Sequence, residues 1–219
     1  MLPSIERMHP GDHYCGIFRT DDDHRAIIVD FIRSGIERNE KMLYIVNVTS
    51  VEQLKATLSA AGIDVEGLLA KGQLVIVTAK DAYLKGGQFD PDRMLQSLEE
   101  ETDKALAEGY SALRGTGEMT WALAGEPGSE RLVEYESRVN EFAKTHKFYG
   151  LCQYDRRRFD AEMLLDILHT HPNVLFGREG FDNSQMYFVP PAAFMGRDRQ
   201  SATLDTWLKN LSVKGADPV

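Results

Sequence analysis

Two stretches of this chain, Met42–Val48 and Gln73–Thr78, are apolar almost without interruption. A strand buried on both faces has this composition, and such strands belong to parallel sheets covered by helices. Similar runs stand at His13–Phe18, Tyr110–Gly115 and Phe148–Tyr154. Between them lie segments whose apolar residues recur at helical spacing. Ile27, Ile28, Phe31 and Ile32 form one such face, Met94, Leu95, Leu98 and Ala105 a second, and Leu132, Val133, Val139 and Phe142 a third. Strand and helix signals that alternate in this way predict βαβ units, hence a three-layer α/β sandwich with a mostly parallel central sheet. Val174–Phe176 and Met186–Val189 are expected to pair as edge strands. Pro190-Pro191 ends the compact pattern.

Punctuation supports the same division. Thr20 with Asp21-Asp22-Asp23 is a helix N-cap with acids in the first turn, which the helix dipole favours. Thr49 and Ser50 precede the next helix, and Pro91 stands where a first helical position tolerates proline. A further amphipathic helix is expected around Leu204, Trp207, Leu208 and Leu211. It would serve as a packing, dimer or linker element.

Bulk properties exclude some functions. The formal net charge is −9, whereas nucleic-acid phosphates need clustered Lys and Arg. Arg156-Arg157-Arg158 is the densest cationic run, and such a triplet suits a solvated helix entry. No apolar run approaches the roughly 18 residues of a membrane span. Cys15 and Cys152 give no disulfide framework. The N-terminus lacks the apolar core of a signal peptide, so a cytoplasmic setting is expected.

The densest chemistry lies in Arg114-Gly-Thr-Gly-Glu118-Met-Thr-Trp121. A cation, a carboxylate, a hydroxyl and an indole follow a strand signal, where open α/β sheets bind ligands. The motif is therefore expected to be a binding loop, with glycines for close backbone approach. Glu118 would act as acid or base only if burial raised its pKa; otherwise it pairs with Arg114. No phosphate loop is present. The first strand leads into Arg19-Thr-Asp-Asp-Asp23, without the glycine cradle and Lys-Ser/Thr that hold nucleotide phosphates.

His13 and Cys15 are two apart on a strand and share a face. Cys152, on another strand, would complete a trio suited to zinc or another thiophilic ion. The plain structural alternative is that both cysteines are small buried hydrophobes and His13 is a hydrogen-bonded strand residue. Glu134-Tyr-Glu136 and Gln153-Tyr-Asp-Arg156 add further polar groups, while His169 and His171 stand where they can cap helix carbonyls.

Taken in order, these motifs resemble a known family. Gly11-Asp-His13-x-Cys15, Gly72-Gln-Leu, Asp81-Ala-Tyr83 and Gly87-x-Phe-Asp-Pro91 are followed by Arg114-x-Thr-Gly-Glu118-Met-x-Trp121. Leu132-Val-Glu-Tyr-Glu136, Cys152-Gln-Tyr-Asp155, His171-Pro172 and Asn183…Tyr187…Pro190 complete the series. The whole resembles the MEDS family, the methanogen/methylotroph, DcmR-type sensory domain. Asn39 departs from it where glycine is expected, but asparagine adopts the same left-handed helix end.

The resemblance implies a RecA/KaiC-like fold whose phosphate loop has been lost, spanning residues 8–191, with residues 192–219 as helix and tail. It implies a non-enzymatic sensor of small organic, hydrocarbon-derived molecules, without a cofactor, acting on a signalling partner protein or fused output domain. Neither nucleic acid nor membrane would be contacted directly. Arg114, Glu118, Trp121 and Tyr154 are expected to line the ligand site, with Arg19 after the first strand and His13 and Cys15 near its floor. Competing readings are a degenerate nucleotide- or metal-binding enzyme using Glu118, and a protein–protein interaction module.

Overall fold

The computed structural model describes residues 4–194. The proposed C-terminal helix lies outside the described residues. The chain runs β1 (His13–Phe18), α1 (Asp21–Glu37), β2 (Lys41–Val46), α2 (Val51–Ala60), α3 (Val65–Ala70) and β3 (Leu74–Thr78). It continues with α4 (Pro91–Ala107), β4 (Leu113–Glu118), α5 (Leu132–Thr145), β5 (Phe148–Asp155), α6 (Ala161–Thr170), β6 (Asn173–Phe176) and β7 (Glu179–Asp182). The strands form one sheet in the order β3-β2-β4-β5-β1-β6-β7. All neighbours are parallel except the antiparallel β6–β7 pair at one edge.

Two cores flank the sheet because successive strand residues point to opposite faces. Cys15, Ile17, Leu113, Phe148, Cys152 and Tyr154 pack under α4, α5 and α6 with Met94, Leu98, Val139 and Ile167. Tyr14, Met42, Tyr44, Tyr149 and Leu151 pack under α1, α2 and α3 with Ile28, Phe31, Leu54 and Leu68. The expected three-layer α/β architecture is therefore present.

The predicted caps form as the sequence indicates. Thr20 and Asp23 make a reciprocal capping box, as do Ser50 and Gln53, each satisfying donors that the first helical turn leaves orphaned. Asn39 takes φ 54°, the left-handed helix end anticipated for it.

Three local expectations need correction. The Arg114–Trp121 motif is not a loop: Leu113–Glu118 is strand β4 itself, followed by a 3-10 turn over Met119–Ala124. Its glycines make room for rings. A Cβ at Gly115 would lie 2.8 Å from the Phe148 ring, and one at Gly117 2.2 Å from the Tyr83 hydroxyl. Strand β2 stops at Val46 rather than Val48, because the next amides turn toward Glu118. The edge partner of β6 is Glu179–Asp182, not Met186–Val189, since Gly177 (φ 55°) reverses the chain at once.

Candidate functional site

The sheet separates the residues singled out in the sequence. Arg114 and Glu118 are on the face covered by α1–α3, whereas His13, Cys15 and Tyr154 are on the other. Arg114 sits fully buried at the entry of β4, where its Nε donates to Glu40 Oε2 at 2.5 Å. Tyr149 donates to the other Glu40 oxygen at 2.6 Å. The guanidinium lies over the rings of Phe31 and Tyr149, 4.8 and 4.6 Å from their centroids. This arrangement belongs to the core, at the end of the sheet away from the crevice. Trp121 is also internal, packed on Tyr83 and Phe89 at 4.8 and 4.6 Å. Arg19 is exposed after β1. The seven residues do not line one cavity.

Glu118 does reach the crevice at the carboxyl ends of the strands. Its Oε2 accepts the backbone N–H groups of Asn47, Val48 and Thr49 at 3.0, 2.6 and 3.0 Å. Successive amides converging on one oxygen make an anion nest, and here the protein fills it with its own carboxylate. The crevice encloses about 540 Å³, with Glu118, His24, Gln153, Asp155, Arg157 and Arg158 among its walls. Gln153 accepts from Tyr44 at 3.1 Å, lies 2.6 Å from His24 Nε2, and donates to Thr116 at 2.7 Å. Arg157 bridges Asp155 and Asp21 at 2.8 and 2.7 Å. Burial works to raise the Asp155 carboxyl, but these hydrogen bonds prevail and its pKa is lowered.

A second, apolar cavity of about 750 Å³ opens between α6 and the β6–β7 hairpin. Leu164, Leu168, Phe159, Val174, Phe176 and Phe181 are among its walls. Arg156 lines this cavity while Arg157 and Arg158 line the crevice, so the turn after β5 forms a wall of both.

A buried polar cluster lies beside the apolar cavity, centred on Glu136. Residues Glu136 and Asn140 are one turn apart on the inner face of α5. His13 Nε2 stands 3.2 Å from Glu136 Oε2, and His171 Nε2 3.4 Å from the same oxygen. Cys152 Sγ donates to that oxygen at 3.2 Å and lies 3.4 Å from His13 Nε2. Tyr154 donates to Glu136 Oε1 at 2.5 Å. Gly150 creates the space, since a Cβ there would meet the His13 ring at 2.8 Å. Phe159, in the cavity wall, touches Tyr154 edge-on at 5.1 Å, which links cavity to cluster.

Burial and the neighbouring His171 lower the His13 pKa to about 4. Burial works to raise the Glu136 carboxyl, whereas the adjacent His13 and His171 rings work to lower it, and the net direction is down. The two shifts compete. That of His13 takes precedence, because it follows from burial and a second imidazole, whereas that of Glu136 needs a proton on an Nε2. Burial also pushes the Cys152 thiol well up.

Of the trio His13, Cys15 and Cys152 weighed as an alternative metal site, only His13 and Cys152 converge. Cys15 pairs in register with Cys152, but the group with converging ligand atoms is His13, Glu136, Cys152 and His171. Glu136 and His171 were visible as polar residues within helical signals. Nothing in their spacing showed that α5 and the end of α6 meet over β1 and β5.

The comparisons agree with this architecture. The model of the MEthanogen/methylotroph, DcmR Sensory domain (MEDS) matches residues 12–172. The transcriptional repressor DcmR of Methylorubrum extorquens is 28% identical over 162 residues, covering 73% of this chain and 58% of the repressor. The chain therefore spans little more than half of that relative. Among solved structures, the KaiC-like protein PH0186 of Pyrococcus horikoshii aligns with a TM-score of 0.56 at 13% identity, covering 76% of this chain and 71% of its own. The flagellar accessory protein FlaH of Methanocaldococcus jannaschii aligns at 0.55 and 9%, covering 77% and 72%. At these identities the likeness is one of fold, and it is RecA/KaiC-like. With a family match over more than half its length, this chain belongs to the MEDS family of sensory domains.

Proposed function

We propose that the chain is the ligand-binding module of a prokaryotic signalling or transcriptional regulator. Its ligand is a small, largely apolar organic molecule received between α6 and the β6–β7 hairpin. The observation behind this reading is the cavity itself. Its volume of about 750 Å³ lies within the range of about 300–1,000 Å³ usual for small-molecule sites, and its wall is apolar with few polar groups, as such sites are.

Occupancy has a short route outward. The ligand would press on Phe159 and Arg156, in the turn whose next residues hold the polar crevice. A ligand shifts a conformational equilibrium only through differential affinity for the two states, and that turn is the element both cavities share. Of the residues singled out in the sequence, this reading keeps Tyr154, as the group linking Phe159 to Glu136. Glu118 becomes the clamp of the crevice rather than a catalytic acid. The run Arg19-Thr-Asp-Asp-Asp23 in place of a phosphate loop favours recognition over turnover. The module would work in the cytoplasm, coupled to an output domain or partner protein; the repressor that it resembles extends beyond the matched region.

Thermal-shift measurement against short alkanes, alcohols, thiols and amines tests the proposal. Compounds with an apolar body should raise Tm progressively with concentration, the stabilisation reaching about 2.7 kcal/mol at 100-fold excess over Kd. Leu164→Trp, which fills the cavity, should abolish the response without unfolding the chain. A flat panel, or a response that survives Leu164→Trp, would overturn the reading.

A further inference from the structure

We propose that His13, Glu136, Cys152 and His171 bind one thiophilic divalent metal ion of the zinc class, through two imidazole Nε2 atoms, one carboxylate oxygen and one thiolate. The inference is independent of the organic ligand and of the cavity that would hold it.

Geometry is the first support. The four ligand atoms come from β1, α5, β5 and the residue after α6, all are buried, and all lie within 4.8 Å of one another. Four of their separations, 3.2, 3.4, 3.2 and 3.4 Å, match the edge of a tetrahedron, about 3.4 Å for zinc bonds of about 2.1 Å. Imidazole, carboxylate and thiolate are the ligand types zinc takes.

The protons provide the second, and stronger, support. His171 Nδ1 is 2.8 Å from the Ile167 carbonyl oxygen, so it donates there. His13 Nδ1 is 3.3 Å from Asn140 Oδ1. That oxygen is oriented by its own amide, whose Nδ2 donates to the carbonyls of Glu136, Ser137 and Thr170 at 3.2, 3.1 and 2.7 Å. Both Nδ1 atoms are therefore N–H donors, and a ring that carries its one proton there leaves a lone pair on Nε2. Both Nε2 atoms lie within 3.4 Å of Glu136 Oε2, itself an acceptor. One thiol proton on Cys152 serves only one of these atoms, and His171 Nε2 has no hydrogen-bond donor among the described residues. Acceptors facing one another in a dry interior repel unless a positive charge lies between them.

The surroundings are those of a metal site's outer shell. Ligating histidines donate their second N–H to a carbonyl or comparable acceptor, which sets the tautomer. Both rings do so here. Tyr154 holds the remaining Glu136 oxygen. All four positions are protein ligands with no open side, the mark of a structural or sensing ion rather than a catalytic one. The Cys152 thiol would give up its proton on binding, so uptake should release acid.

The test uses the whole chain, stripped with chelator and reloaded with Zn²⁺ or Co²⁺. The expected result is one ion per chain by elemental analysis. Co²⁺ should show the visible bands of a tetrahedral ion and a thiolate-to-cobalt charge-transfer band. Cys152→Ser should remove the charge-transfer band, and His171→Gln should weaken binding at least about 100-fold, beyond the 10–100-fold typical of outer-shell changes. Asn140→Ala should fall within that 10–100-fold range. If a variant fails to fold, the wild-type spectrum still decides. No Co²⁺ uptake would mean that a proton bridges Glu136 and a histidine, and would overturn the proposal. So would a Co²⁺ spectrum without thiolate character, or stoichiometric binding unchanged in folded Cys152→Ser.

Discussion

Glu118, the last residue of β4, clamps the turn after β2 by accepting the Val48 amide at 2.6 Å. The same oxygen takes the amides of Asn47 and Thr49, so one side chain orders the entry to α2. Hydrogen bonds to a charged group contribute roughly 1.5–3 kcal/mol each before coupling. Glu118→Ala should cost about 2–4 kcal/mol by urea denaturation and leave an empty anion nest. Sulfate should then restore part of the loss in the variant and leave the wild type nearly unchanged. Equal sulfate response in both proteins would contradict this account.

Arg114 and Glu40 form a buried ion pair, and breaking such a pair strands a charge. Arg114→Ala should cost about 3–5 kcal/mol. Replacing both partners, as Arg114→Met with Glu40→Gln, should recover much of it, because no uncompensated charge remains. Denaturant midpoints for the two variants provide the check, and an additive double variant would argue against the pair.

Gly117→Ala should destabilise by about 1–3 kcal/mol, as overpacking does. The new Cβ would stand 2.2 Å from the hydroxyl of Tyr83, whose ring is held between Trp121, Phe89 and Tyr135. Adding Tyr83→Phe should relieve part of the cost. If the single variant matches wild type in Tm, the glycine has another reason to be there.

The metal-stripped protein should lose stability in acid through His13. Its native pKa is about 4 against 6.5 for the unreacted side chain, so between these values the unfolded chain binds the proton and the folded one does not. Stability therefore rises with pH across that window. It is complete above about 6.5 and lost as pH falls through about 4, a span worth roughly 3 kcal/mol. His13→Leu should flatten the pH dependence of the urea midpoint; an unchanged slope would assign the acid sensitivity elsewhere.

Legibility in the sequence followed the range of the interactions. Cap residues, helix faces and the left-handed Asn39 depend on neighbours a few positions away, and they are legible in the sequence. The Arg114–Trp121 motif reads as a loop because of Gly115 and Gly117, yet Leu113–Glu118 is the strand itself. Their partners, Phe148 and Tyr83, come from distant segments. Met186–Val189 looked like a strand because it is apolar, while the residues that pair with β6, Glu179–Asp182, were selected by the tight turn at Gly177.

By itself the sequence determined a parallel α/β sandwich, an acidic chain without a phosphate loop, and membership of a sensory family. Strand alternation and local caps are properties of adjacent residues, so the chain states them directly. Tertiary structure alone decided that Arg114 and Glu118, four residues apart, serve different ends of the sheet. It also decided that His13, Glu136, Cys152 and His171 meet. Which helix covers which strand is set by packing the two apolar faces of the sheet, and only that packing brings distant side chains within bonding distance.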